Sequence, residues 1–171
     1  MARLDLGYEV RQVGETFREL AEGNGFALEV RTEDGAIPIQ GSAGLIARAI
    51  SNLVDNALKY SQPPGPVRLS ASRKGALAVV EVADEGPGVP AEHEQRIFAE
   101  FARGPQAASR PIPGSGLGLA VTRQVARAHG GTLSMESSPH HLTTFRLSFL
   151  LARSAGREEQ PRGGTPEPAS N

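Results

Sequence analysis

A two-layer α+β sandwich, with helices on one face of a mixed, largely antiparallel sheet, is the fold this sequence predicts. Three observations predict it. Three segments carry apolar residues at helical spacing, two pairs of segments alternate apolar and polar residues, and helices and strands interleave as β-α-β-β-α-β-β-α-α-β-β.

Taken in order, Leu6 to Ala21 reads as a helix, with Val10, Val13, Phe17 and Leu20 one helical turn apart, closed by Asn24-Gly25. Phe26 to Val30 and Ile37 to Gln40 are short strands. Ser42 is an N-cap residue type before a long helix that runs to Tyr60 and is stopped by Gln62-Pro63-Pro64-Gly65. Val67, Leu69 and Ala71, then Ala78, Val80 and Val82, alternate with polar partners around Lys74-Gly75, which is a β-hairpin. Pro90 opens a short helix with Glu92 and Glu94 near its positive end. Ala102 to Gly114 has no period. Leu117, Val121, Val125 and Ala128 mark a second long helix ended by Gly130-Gly131. Thr132 to Glu136 and Thr143 to Phe149 are the closing strands, with Phe145, Leu147 and Phe149 facing in. The folded domain is expected at 3–152. The tail 153–171 holds three each of Arg, Glu, Gly and Pro with almost nothing apolar, and is expected to be disordered.

Composition excludes more than it assigns. Eighteen basic and nineteen acidic residues leave a net charge of −1, so there is no electrostatic footprint for nucleic acid or an anionic membrane surface. The absence of Cys removes disulfides, thiolate chemistry and cysteine-ligated metals. No apolar run is long enough to span a bilayer, and Met1 to Asp5 lacks the apolar stretch of a signal peptide, so the expected location is cytoplasmic.

Three features could carry chemistry. On the helix from Ser42 to Tyr60, Ile46, Ile50, Leu53 and Ala57 share one side, while Asn52, Asn56 and Lys59 share the opposite one. Mid-helix asparagines cost stability, and two neutral oxygen donors beside a cation suit a metal–phosphate ligand better than a merely solvated face. Asp84 continues the inward parity of Val80 and Val82 at the start of Asp84-Glu85-Gly86-Pro87-Gly88. A carboxylate there needs donors, such as an exocyclic amine, and the glycines let a flat ligand approach. Taken alone, though, an ordinary turn explains it better. Gly114-Ser115-Gly116-Leu117-Gly118-Leu119 opens a helix, where bare amides and the dipole favour an anion. It fits neither a dinucleotide-binding nor a Walker pattern, and alone it is equally well a tight connection.

In this order and spacing the three resemble the ATP-binding domain of sensor histidine kinases, the Bergerat fold also found in type II topoisomerases and Hsp90-type chaperones. Asn52-Leu53-Val54-Asp55-Asn56-Ala57-Leu58-Lys59-Tyr60 resembles that family's N box, and Asp84 to Gly88 its G1 box. Ile97-Phe98-Ala99-Glu100-Phe101 resembles the F box and Gly114 to Leu119 the G2 box, with His129-Gly130-Gly131 following as the family has it. The resemblance implies ATP and Mg²⁺ as cofactors. It implies that Asn56, helped by Asn52, holds Mg²⁺, that Lys59 meets phosphate and that Tyr60 packs near adenine. Asp84 would accept from the adenine amine, with Gly86 and Gly88 shaping that pocket. Arg103 would contact phosphate, 102–115 would be the ATP lid, and Gly114, Gly116, Leu117 and Gly118 would lie against the nucleotide. Two departures stand out: Ala102 replaces an aromatic before Arg103, and His140-His141-Leu142 replaces a Gly-rich turn.

A histidine kinase also needs an acceptor histidine on a dimerisation helix. None of His93, His129, His140 and His141 has that setting; His93 lies on a short surface helix, and His129 ends a helix where an imidazolium suits the dipole. The resemblance therefore implies the catalytic half of the reaction. Its partners would be a histidine-bearing dimerisation domain outside this chain and a response regulator downstream, in a full protein that could be anchored in the inner membrane. A non-catalytic ATP-sensing module, or an anti-sigma serine kinase or ATPase of the same fold, are the alternatives.

Overall fold

The computed structural model describes residues 1–99, 116–137 and 142–153. Strand β1 (Ala2–Asp5) leads into helix α1 (Leu6–Gly23), followed by β2 (Ala27–Thr32), β3 (Pro38–Gly41) and helix α2 (Ala43–Tyr60). Then come the hairpin β4 (Pro66–Lys74) and β5 (Leu77–Asp84), two 3₁₀ turns (Ala91–His93 and Arg96–Phe98), helix α3 (Gly118–Ala128), and strands β6 (Thr132–Glu136) and β7 (Thr143–Leu150).

The main sheet has the order β2-β4-β5-β7-β6, antiparallel throughout except for the parallel β2–β4 pair. Its inward positions are those the alternation predicts. Val67, Leu69, Ala71, Ala78, Val80, Val82, Phe145, Leu147 and Phe149 are all buried, and they meet Ile46, Ile50, Leu53, Val54 and Ala57 of α2 and Leu6, Val10 and Val13 of α1. On the opposite side of the sheet, Lys74, Glu81, Arg146 and Glu136 form a chain of ion pairs.

Four local expectations change. First, β1 and β3 do not join the main sheet but form a two-stranded ribbon of their own. Each is only four residues long, and Pro38 has no N–H to extend a ladder. Second, the segment opened by Pro90 forms two 3₁₀ turns rather than one helix. Its apolar residues, Ile97 and Phe98, come only at the end, so no stripe stabilises an α-helix. Third, α1 turns Ala21 inward and leaves Leu20 exposed, while the buried Gly14 lies close against Val30 of β2. Fourth, Ser42 is the N-cap of α2, but its hydroxyl caps nothing.

The backbone N–H of Ser42 donates instead to Nε2 of His129, 3.1 Å away, while Nδ1–H of His129 donates to the Val125 carbonyl at 2.7 Å. An amide N–H can only donate and a carbonyl can only accept, so this pairing needs a ring with one proton, on Nδ1. His129 is thus a neutral latch between the C-terminus of α3 and the N-terminus of α2, not an imidazolium on a dipole. The ring also packs edge-on against Phe149, at 6.2 Å between centroids.

Candidate functional site

The C-terminal half of α2 supplies one wall of the site. Asn52, Asn56, Lys59 and Tyr60 lie on the face away from the sheet, yet all four are half-buried rather than solvated. For Asn52 the cause is tertiary: the start of α3 packs against it. The Asn52 side-chain amide donates to the Gly118 carbonyl at 3.2 Å and to the Thr122 hydroxyl at 3.3 Å. Asn56 makes no hydrogen bond from its side-chain amide to the described residues, so its oxygen is open to a ligand. Lys59 Nζ sits 2.6 Å from Asp55 Oδ2, a helical i, i+4 ion pair.

The end of β5 supplies the floor. Asp84 is 5% exposed, facing the interior as its parity predicts. Its Oδ1 accepts from the Gly86 N–H at 2.9 Å, which turns the chain sharply after the strand. A Cβ at Gly86 would stand 2.7 Å from that same oxygen and 3.4 Å from the Tyr60 carbonyl, so only glycine lets the loop close against the end of α2. Gly88 is buried with φ of 79°, a conformation open to glycine and costly for other residues. Burial pushes the Asp84 carboxyl up from its ordinary range; the nearby Ser61 hydroxyl and the Gly86 amide pull it part of the way back. That hydroxyl is fully buried and, for all its proximity to Asp84, completes no well-formed hydrogen bond with a described residue.

The third wall comes from β6, β7 and the 3₁₀ turn Arg96–Phe98. Thr143, 5% exposed, lies directly across the ladder from Asp84. Its Oγ1 is 3.1 Å from Ser137 Oγ, which in turn accepts from the Val89 N–H at 2.8 Å and pins the loop after Asp84. Phe98 packs edge-on to Phe145 at 6.3 Å between centroids, and the Arg123 guanidinium stands 6.0 Å over the Phe98 ring. Thr143 and Ser61 carry no motif on their own. Only pairing across β5–β7 and the end of α2 makes them neighbours of Asp84.

The structure thus brings together Asn52 with Gly118, and Tyr60 with Gly86 and Asp84. Gly116, with φ of 73°, and Leu117 lead directly into α3. Arg103, Gly114 and the segment 102–115 lie outside the described residues, as do His140, His141 and the tail beyond Arg153. Among the described residues no helix is long and apolar enough to cross a membrane.

Comparison with known proteins places the fold in a family. Residues 41–153 match the family model for histidine kinase-, DNA gyrase B- and HSP90-like ATPases. The sensor-like histidine kinase SenX3 of Mycobacterium bovis is 38% identical over 147 residues, covering 84% of this chain and 36% of SenX3. The sensor protein IrlS of Burkholderia pseudomallei is 34% identical over 146 residues, covering 85% of this chain and 31% of IrlS. The chain therefore spans about a third of the length of these relatives. Among solved structures, a mycobacterial sensor histidine kinase MprB superimposes with a TM-score of 0.78 at 28% identity, covering 88% of this chain and 98% of that one. Full-length ShkA in complex with AMPPNP does so with a TM-score of 0.77 at 27% identity, covering 91% of this chain and 32% of that one. With an ordered run of motifs, an α+β sandwich and a half-buried polar wall beside a buried aspartate, the chain belongs to the histidine kinase-, DNA gyrase B- and HSP90-like ATPase family, as an ATP-binding catalytic domain of the sensor histidine kinase type.

Proposed function

We propose that this domain binds Mg·ATP and passes the γ-phosphoryl group to a histidine on a dimerisation domain outside the chain, within a two-component pathway that continues to a response regulator. The observation that carries it is the buried Asp84 at the end of β5, set beside the end of α2, the helix whose half-buried polar face holds Asn52, Asn56 and Lys59. The donor set fits the ligand. Asp84 is a buried acceptor beside a hydroxyl with an unmet hydrogen bond, which suits a base that offers an amine. Asn52 and Asn56 offer neutral carboxamide oxygens, which suit a hard cation shared with phosphates. Bound Mg²⁺ would neutralise phosphate charge; the chain's own part is to hold and orient. Lys59, Arg103, Gly88, Gly114, Gly116, Leu117 and Gly118 complete the nucleotide contacts in this reading.

Asn52 favours transfer over hydrolysis. In the related ATPases this position is a Glu that activates water; an amide has no such basicity. The two nearby carboxylates are both engaged, Asp55 with Lys59 and Glu85 with Arg68. The test is to supply labelled ATP to the full chain together with a separately prepared dimerisation domain of a sensor kinase relative. Label on that domain's histidine is the expected result; the chain alone should release phosphate far below the ~10 s⁻¹ typical of enzymes. Fast release without transfer would replace the kinase reading with an ATPase, and Asp55→Asn would show whether that carboxylate drives it.

Gly118 yields a second expectation. A Cβ there would meet Asn52 Cβ and Cγ at 3.8 Å, an ordinary contact, so the ligand-free fold does not require glycine. Gly118 is the first residue of α3, so Gly118→Ala should raise stability only slightly, by less than about 0.5 kcal/mol. It should weaken nucleotide binding by crowding the start of α3. Thermal melts and calorimetry moving in opposite directions would establish this; joint loss of both would mean that the residue serves the fold.

A further inference from the structure

Thr122 is a completely buried polar side chain in the middle of α3, on the face turned to α2. Its hydroxyl donates to the Gly118 carbonyl at 2.8 Å, one turn back, with the Ala49 carbonyl of α2 at 3.4 Å. With its one proton directed to carbonyls, the oxygen can face Asn52 only as an acceptor, and it lies 3.3 Å from Asn52 Nδ2. The Gly118 carbonyl, an obligate acceptor, is 3.2 Å from the same nitrogen. A side-chain amide is close to symmetric in shape, and its surroundings alone decide which end is oxygen. Here two acceptors on α3 demand the nitrogen, so Oδ1 turns the other way, and no donor among the described residues meets it.

We propose that Thr122 is a positioning residue that sets the flip of the Asn52 amide, so that Oδ1 and not the NH₂ group is presented to the cation side of the phosphate site. This rests on the Mg·ATP reading above. A flipped Asn52 would offer two N–H groups where a cation needs an oxygen, and the Gly118 contact alone would then have to prevent that flip. Thr122 also ties the orientation to the seating of α3, because the same hydroxyl grips Gly118 and faces Ala49.

The experiment compares the full chain with Thr122→Val, which keeps the branched shape without the hydroxyl, and with Thr122→Ser, which keeps the hydroxyl. AMPPNP affinity is measured by calorimetry with Mg²⁺ and again with EDTA. The expected result is a threefold to tenfold loss, roughly one hydrogen bond's worth, of the magnesium-dependent gain in Thr122→Val. Affinity in EDTA should be unchanged, and Thr122→Ser should recover the gain. An undiminished gain in Thr122→Val overturns the proposal, and so does an equal loss with and without Mg²⁺, the mark of a packing role. If the unsubstituted chain gains nothing from Mg²⁺, the Mg·ATP reading fails and this proposal falls with it. Nuclear magnetic resonance without nucleotide separates the two ideas. The Asn52 side-chain NH₂ protons should exchange slowly with water and speed up in Thr122→Val; rapid exchange in the unsubstituted chain would overturn the geometry itself.

Discussion

Asp84→Asn should weaken adenine-nucleotide binding by about 1–3 kcal/mol while leaving the empty fold as stable as before or more so. The asparagine can still accept from the Gly86 N–H, so the turn after β5 survives. What changes is the group beside Ser61: an acceptor-only carboxylate becomes an amide that offers N–H to a base already presenting its own. The stability half follows from linkage. Burial raises the Asp84 pKa in the folded state, so the folded chain holds that proton to a higher pH than the unfolded chain does. Stability from this group is then full below the ordinary aspartate value and falls as pH rises through the folded value, staying lower above it. Asp84→Asn removes that decline. Melting temperature against pH should flatten on the acidic side for the variant, and calorimetry should show lost affinity for ATP with little preference left over GTP. A variant that binds ATP normally would remove Asp84 from the base pocket.

A large effect on the fold itself is expected at Gly131, which joins α3 to β6. A Cβ there would overlap the Ser148 carbonyl oxygen and stand 2.9 Å from Phe149 Cδ1, both parts of the β7 core edge. The neighbour Gly130 has φ of 67° but open space around it. The two glycines are therefore required for different reasons, one for backbone conformation and one for close approach. Asparagine tolerates the left-handed region, so Gly130→Asn should cost well under about 1 kcal/mol. Gly131→Asn must displace a backbone carbonyl or the Phe149 ring, at a cost of about 1–3 kcal/mol or more. Because Gly131 follows the His129 latch, the loss should reach the α2–α3 contact and hence Asn52. Denaturant melts of the two variants would settle the contrast; equal midpoints would show that the chain relaxes around the added carbon.

Periodicity was enough to locate the three α-helices, the hairpin and the closing strands, because each element buries one face against a single core. Alternation along β5 alone placed Asp84 inward, and its burial follows. Local pattern could not show what packs on a polar face. Asn52, Asn56 and Lys59 read as a row opposite the apolar stripe of α2; that all three are half-buried, and that the start of α3 binds Asn52 through Gly118, is a matter of tertiary packing. Thr122 and Ser61 belong to no pattern, since a hydroxyl reveals its role only through the partner it meets. His129 makes the same point: helix position by itself predicts a cation, but an amide from Ser42, far away in sequence, requires a neutral ring. Short strands and turns were similarly underdetermined. Four residues of β1 or β3 carry too little alternation to name a partner, so their separate ribbon was decided by the Asp5 carboxylate, which receives the Gly7 and Ile37 amides, and by the ladder between them. The three α-helices, the hairpin, the closing strands, their inward faces and the order of the motifs are legible in the chain alone, because these depend on residue period and local backbone preference. Which polar groups meet, which way the Asn52 amide turns and what protonation His129 carries were decided only by the tertiary structure, because hydrogen bonds between distant segments exist only once the helices have packed.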